Sequence, residues 1–187
     1  MNTYGLILER RTIRKFFQKE INENILFDCL NAARLAPSSA NLQSLEYILI
    51  TKDLERIFQY IKWAGYLKKG APAKDEKPAA YIVIISNTKI SKDAKYDVGL
   101  SAGNIVLTAL EKGVASCIVN PPNKKGLAEI LNVPENYLVE LVIALGYPKQ
   151  KSFAEKFERD VKYRLDKKGN LHVPKRKLKD ILHKEKF

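Results

Sequence analysis

The run Ala80-Tyr81-Ile82-Val83-Ile84-Ile85 constrains this chain more than any other stretch. It is apolar at every position, so a strand built from it has no face to offer water and must be covered on both sides. Leu138 to Leu145, closed by Gly146-Tyr147-Pro148, predicts a second strong strand. Shorter strands are expected over 47–50 and 116–119. The cover is written in helical patterns. Thr3 can cap a short first helix carrying Leu6, Ile7 and Leu8. After the cap residue Asn22, the positions Ile25, Cys29, Ala32, Ala33 and Ala36 follow helical spacing, and Pro37 stops that helix. Leu54, Ile57, Phe58 and Ile61 predict another, and 127–131 a short one. Tyr96 to Glu111 is the longest pattern, with Val98, Ala102, Ile105 and Ala109 on one stripe and Leu100, Leu107 and Leu110 off it. A helix apolar over most of its surface is expected to be buried all round. Gly99 and Gly103 would let another backbone approach, from this chain or from a second subunit. Helices followed by strands interspersed with helices predict an α+β fold with a mixed central sheet, in one domain of 187 residues.

The formal net charge is +12, and +8 of it falls in residues 149–187, where fourteen Lys and Arg face six Asp and Glu. A nucleic-acid partner and a solvated basic surface that also attracts anionic cofactors are the two readings of such a balance. The tail has no regular alternation of aromatic and basic residues and no helix-turn-helix or zinc motif, so no nucleic acid is expected. A polar tail of this length stays disordered unless it docks; Phe153, Phe157, Tyr163, Leu165, Leu171, Ile181 and Leu182 are its anchors. No apolar run reaches the roughly 20 residues of a membrane helix, and the first residues lack the layout of a secretory signal. The expectation is a cytoplasmic protein with no membrane partner. Cys29 and Cys117 sit inside apolar patterns and read as buried, reduced thiols; no metal site is expected, because neither has a second ligand at metal spacing. His172 and His183 read as surface or packing residues. No Ser, His and Asp arrangement suggests a hydrolase, and no G-x-G-x-x-G loop follows a strand.

Two arginine-bearing segments lie near the two ends, Arg10-Arg11-Thr12-Ile13-Arg14-Lys15-Phe16 and Pro174-Lys175-Arg176. Between them lies a polar loop, Ala36-Pro37-Ser38-Ser39-Ala40-Asn41-Leu42-Gln43. Arginine suits a phosphate because its planar fork pairs two oxygens at once. A phosphate clamp with amide and hydroxyl groups beside it fits a phosphorylated, ring-bearing cofactor.

With the turn and strand from Gly113 to Asn120 and the segment Ala144-Leu145-Gly146-Tyr147-Pro148, these elements resemble the FMN-dependent nitroreductase family, over nearly the whole chain. The resemblance implies a nitroreductase-like fold: a mixed, mainly antiparallel central sheet flanked by helices, with the C-terminal tail docking on the partner subunit. It implies that Arg10, Arg11, Thr12 and Arg14 bind the FMN phosphate and ribityl chain, and that Arg176, with Lys175, closes on the same phosphate. Pro37, Ser38 and Ser39 would line the flavin of the partner subunit. Asn41 and Gln43 would use their amides on the ring edge or the ribityl hydroxyls, and the Asn120 backbone amide would face the flavin nitrogen that exchanges hydride. It further implies a homodimer with flavin at its interface. NAD(P)H would be the transient donor, in a ping-pong cycle, to a nitroaromatic, quinone or similar small-molecule acceptor. The flavin supplies the difficult chemistry, so no dedicated catalytic side chain is required. A flavin-binding sensor or carrier without turnover is the alternative, and a basic nucleic-acid-binding protein the more remote one.

The chain departs from the family in four places. Ser44-Leu45 stands where many relatives have Pro-Trp, and Pro121-Pro122 follows Asn120 where a glycine is common. Proline removes one N–H donor. Gly103 replaces a frequent polar residue. The stretch from Phe58 to Lys77 is short, which predicts a more open site.

Overall fold

The computed structural model describes residues 2–67 and 70–187. Lys68 and Lys69, within the stretch from Phe58 to Lys77, lie outside the described residues. In chain order the elements are α1 (Thr3–Glu9), β1 (Phe16–Phe17), α2 (Glu23–Arg34), β2 (Leu45–Ile50), α3 (Glu55–Phe58), β3 (Ala80–Asn87), α4 (Lys95–Glu111), β4 (Ala115–Val119), α5 (Lys124–Ile130), β5 (Tyr137–Pro148), β6 (Ser152–Lys156), β7 (Arg164–Leu165) and β8 (Leu171–Lys175).

The two strongest apolar runs pair with each other. β3 lies antiparallel to β5, with Ile82 opposite Ile143 and Val83 opposite Val142. The central sheet runs β1-β5-β3-β2, with β4 also on β5, and every pairing of these strands is antiparallel. A parallel bridge from Thr12 to Ser116 makes it mixed. Alternate side chains of a strand go to opposite faces, and β3 feeds two cores accordingly. Ile82 and Ile84 join Leu26 and Cys29 of α2 and Ala102 and Ile105 of α4. Tyr81, Val83 and Ile85 join Ile57, Ile61, Trp63 and Leu127. An apolar residue at every position is the result of cover on both faces.

Three local expectations change. Asn2, not Thr3, caps α1: its Oδ1 accepts from the Gly5 N–H three residues on, at 2.8 Å, the span an N-cap side chain reaches. The helix expected over 54–61 is α-helical only to Phe58. Its pattern continues through tighter bonds from Tyr60 N to Ile57 O and Ile61 N to Phe58 O, which still bury Ile57 and Ile61. α4 is not covered all round in the single chain. Tyr96 is 86% exposed and Leu100 48%, and a Cβ added at Gly99 or Gly103 would meet nothing within 4 Å.

The tail has structure of its own. β6 and β8 pair in parallel and β7 adds antiparallel to β8, giving a second, three-stranded sheet. Leu171 is its buried anchor, and its N–H donates to the Lys151 carbonyl at 2.9 Å. Gln150 ties this sheet to the head of the chain: its Nε2 donates to the Gly169 carbonyl, and its Oε1 accepts from the Arg14 backbone N–H.

Candidate functional site

The segment 10–16 is pinned along β4. Ile13 N donates to the Ser116 carbonyl at 3.0 Å, Ile13 and Phe16 are buried, and Phe16 stands opposite Pro148 of β5. Arg14, between these pins, and Arg10 and Arg11, before them, are half-buried and open into two cavities. Arg10 and Arg11 bound one of about 170 Å³ with Ser116 and Ser152. Arg14 bounds another of about 240 Å³ with Trp63, Cys117, Asn120 and Tyr163; its wall carries Lys62 as a second cation and no carboxylate.

None of the three guanidinium groups forms an ion pair among the described residues. Arg11 Nη1 donates to the Arg10 carbonyl at 2.7 Å. Burial, and then the charge of Arg11, lower the Arg10 pKa. Cations held side by side out of water are costly unless an anion joins them. Arg14 lies 4.8 Å from the centre of the Tyr163 ring, a cation–π distance. Behind it, burial pushes the Cys117 thiol up to about 11, with Arg14 pulling the other way. The thiol is therefore neutral at physiological pH and is not a nucleophile there.

The loop after α2 is rigid for its length. Gln43 N donates to Ser38 Oγ at 3.0 Å, Asn41 N to the Ser38 carbonyl at 2.9 Å, and Ser39 N to Asp97 Oδ1 at 3.1 Å. Ala40, Asn41 and Gln43 have left-handed φ values of 48°, 55° and 51°. Such residues cost energy that the surroundings must offset, and they concentrate at functional sites. Pro37, Ser38 and Gln43 bound a third cavity of about 150 Å³ with Tyr47 and the buried Asp97. Ser39 and Asn41 are exposed beside it.

Five buried side-chain polar atoms lack a partner among the described residues: Arg14 Nη1, Ser44 Oγ, Trp63 Nε1, Asp97 Oδ2 and Ser152 Oγ. Leaving such a group unpaired costs about 1–3 kcal/mol. Four of the five belong to residues in the walls of the three cavities. The unmet bonds gather in the walls of these cavities.

Within one chain, the structure brings Arg14 and Asn120 together, places Arg10 and Arg11 in a second cavity, and gathers Pro37, Ser38 and Gln43 in a third. Thr12 is held on β4 by its bridge to Ser116. Lys175 and Arg176 are exposed and bound none of these cavities; Arg176 Nη2 donates to the Asp180 carbonyl. Sequence reading missed Trp63, Asp97 and Ser152 in the walls and took Tyr163 only as an anchor. The shortened stretch after Phe58 does not leave Arg14 uncovered, because Tyr163 of the tail lies over it.

The nitroreductase family model matches residues 7–147. The chain belongs to the nitroreductase family. It is 30% identical over 166 residues to a protein of Archaeoglobus fulgidus that carries an NADH dehydrogenase/NAD(P)H nitroreductase name, covering 82% of this chain and 90% of that one. It is 25% identical over 163 residues to an iodotyrosine deiodinase of Thermotoga neapolitana, covering 78% and 88%. A solved FMN-dependent nitroreductase from Clostridium difficile superposes with a TM-score of 0.66 at 29% identity, over 84% of this chain and 92% of that one. The α+β nitroreductase fold is thereby shown for this chain, and the relatives it matches carry oxidoreductase names. Among its described residues no helix is long and apolar enough to cross a membrane.

Proposed function

We propose that this nitroreductase holds FMN between two copies of the whole chain acting as one flavin-binding domain. NAD(P)H reduces it, and a nitroaromatic, quinone or similar small acceptor reoxidises it in a ping-pong cycle. The observation that carries this reading is the Arg14 cavity: an acid-free wall with two cations, an unpaired buried guanidinium nitrogen, and Asn120 at the end of β4. Bound there, the flavin supplies the redox chemistry and gains negative charge at its pyrimidine edge on reduction.

The residues of the chain would bind and orient it. Arg14 faces that edge or the ribityl chain, and its charge favours the reduced form. Arg10, Arg11 and Thr12 take the phosphate side. Lys175 and Arg176, which stand outside the cavities of the single chain, are assigned to the same phosphate in the assembled dimer, with the tail docking on the partner. Pro37, Ser38, Ser39, Asn41 and Gln43 are assigned to the ring bound by the other copy. The homodimer is supported by the uncovered stripe of α4, Tyr96, Gly99, Leu100 and Gly103, and by Ile7 and Leu8 of α1, each more than half exposed. Glycines on such a face admit a close backbone. The thiols of Cys29 and Cys117, buried and unpaired, suit a reducing compartment such as the cytoplasm.

The test is the visible spectrum of the purified protein. Flavin absorbance, released cofactor that runs as FMN, and anaerobic bleaching by NADH or NADPH are expected. A colourless protein that leaves the fluorescence of added FMN unchanged would sink the proposal.

A further inference from the structure

Trp63 is the one tryptophan of the chain. It lies in the segment between α3 and β3, 9% exposed, with its ring 5.6 Å from that of Phe58 and packed in the core beneath the sheet. Its indole N–H has no acceptor among the described residues, although buried indole N–H groups normally find one. Trp63 also stands in the wall of the Arg14 cavity, where the Arg14 Nη1 has no partner either. Two buried donors without acceptors among the described residues, in one wall that carries no carboxylate, suit a ligand with more than one acceptor atom and a negative or electron-rich edge.

We propose that the Trp63 indole N–H is a cofactor ligand, donating beside Arg14 to the electron-rich edge of the flavin ring. This rests on the FMN reading given above. Arg14 brings a full charge and Trp63 a neutral, fixed dipole. Trp63 is held by packing against Phe58 rather than by a polar partner, so no hydrogen bond within the described residues has to break before its N–H meets a ligand acceptor. A donor fixed at a site that gains negative charge binds the reduced ring more tightly than the oxidised one. Trp63 thus acts as a positioning residue that also raises the flavin potential.

A single tryptophan gives a single indole 1H–15N signal, so the unmodified protein can be tested. Titration with FMN is expected to move that signal downfield and to slow its exchange with water. In Trp63→Phe, which keeps an aromatic ring against Phe58, FMN should bind about threefold to tenfold more weakly. Its midpoint potential should fall by about 30 mV for each tenfold difference between loss of the reduced and loss of the oxidised form. A yellow, FMN-loaded protein whose indole signal stays put overturns the inference and leaves the FMN reading standing. So does a signal that responds only when 4-nitrobenzoate is added to the loaded protein. A protein that binds no FMN at all overturns both.

Discussion

Arg14 has its backbone N–H on Gln150, its guanidinium over Tyr163, and one guanidinium nitrogen buried without a partner. Removing its side chain should therefore cost ligand binding more than fold. Arg14→Ala is expected to weaken FMN by roughly 1.5–3 kcal/mol, the scale of a charge-assisted hydrogen bond. Fluorescence titration checks this, and an unchanged dissociation constant would remove Arg14 from the site. The cysteines give a second residue-scale prediction. Burial raises both thiols, Cys29 and Cys117, to about 11. A raised pKa leaves the reactive thiolate scarce at pH 8, so iodoacetamide should label neither until the protein is unfolded; mass spectrometry before and after denaturant decides it. At this scale Arg10, Arg11 and Arg14 were legible in the sequence because a guanidinium advertises its chemistry wherever it stands. Trp63 was not, since an apolar ring in an apolar pattern says core. Only the missing acceptor, a property of its surroundings, marks it out. Asp97 and Ser152 were hidden because a single acid or hydroxyl is commonplace in sequence, and only burial without a partner sets them apart.

Elements hold these residues at their stations. Gly146 of β5 lies under Phe16, and a Cβ there would come within 2.7 Å of that fully buried ring. Gly146→Ala should destabilise the protein by about 1–3 kcal/mol, the usual cost of overpacking. It should also lower FMN affinity, because Phe16 and Ile13 are the pins on either side of Arg14. A melting curve and a flavin titration on one sample separate the two effects. The tail sheet makes an acid prediction. Asp166 accepts from the Asn170 side chain and backbone and from Lys168 N, and lies 3.2 Å from His172 Nε2; these bonds hold its carboxyl well below the ordinary range. A depressed folded-state pKa stabilises fully above the unfolded value of about 3.9 and is lost as pH falls through the folded one. Tyr163 signals should therefore report loosening of the tail only in strong acid. Asp166→Asn should flatten that limb. The central strands were readable from continuous apolar runs. β6, β7 and β8 were not, because their pairing partners are each other and their sequence is mostly polar.

The whole molecule leaves one side unfinished. One face of α4 packs on α2 and the sheet, while on the other Tyr96 and Leu100 are exposed and a Cβ added at Gly99 or Gly103 would meet nothing within 4 Å among the described residues. The loop from Pro37 to Gln43 stands in a cavity separate from the arginines. If two copies close over these faces, Leu100→Glu should yield a monomer that also loses flavin. Light scattering and the ratio of flavin absorbance to protein would show both losses together. A monomeric variant that stays yellow would separate the cofactor from the dimer. The sequence raised this possibility through its two glycines, but it could not choose between a neighbour in the same chain and one in another. The empty space beside them excludes the first among the described residues.

The ring over Arg14 comes from the tail and the guanidinium from the head of the chain. During synthesis, then, the anion-seeking half of the pocket leaves the ribosome well before its cover. A polypeptide has to be translated past Tyr163 before it can hold a phosphate compound beneath that ring.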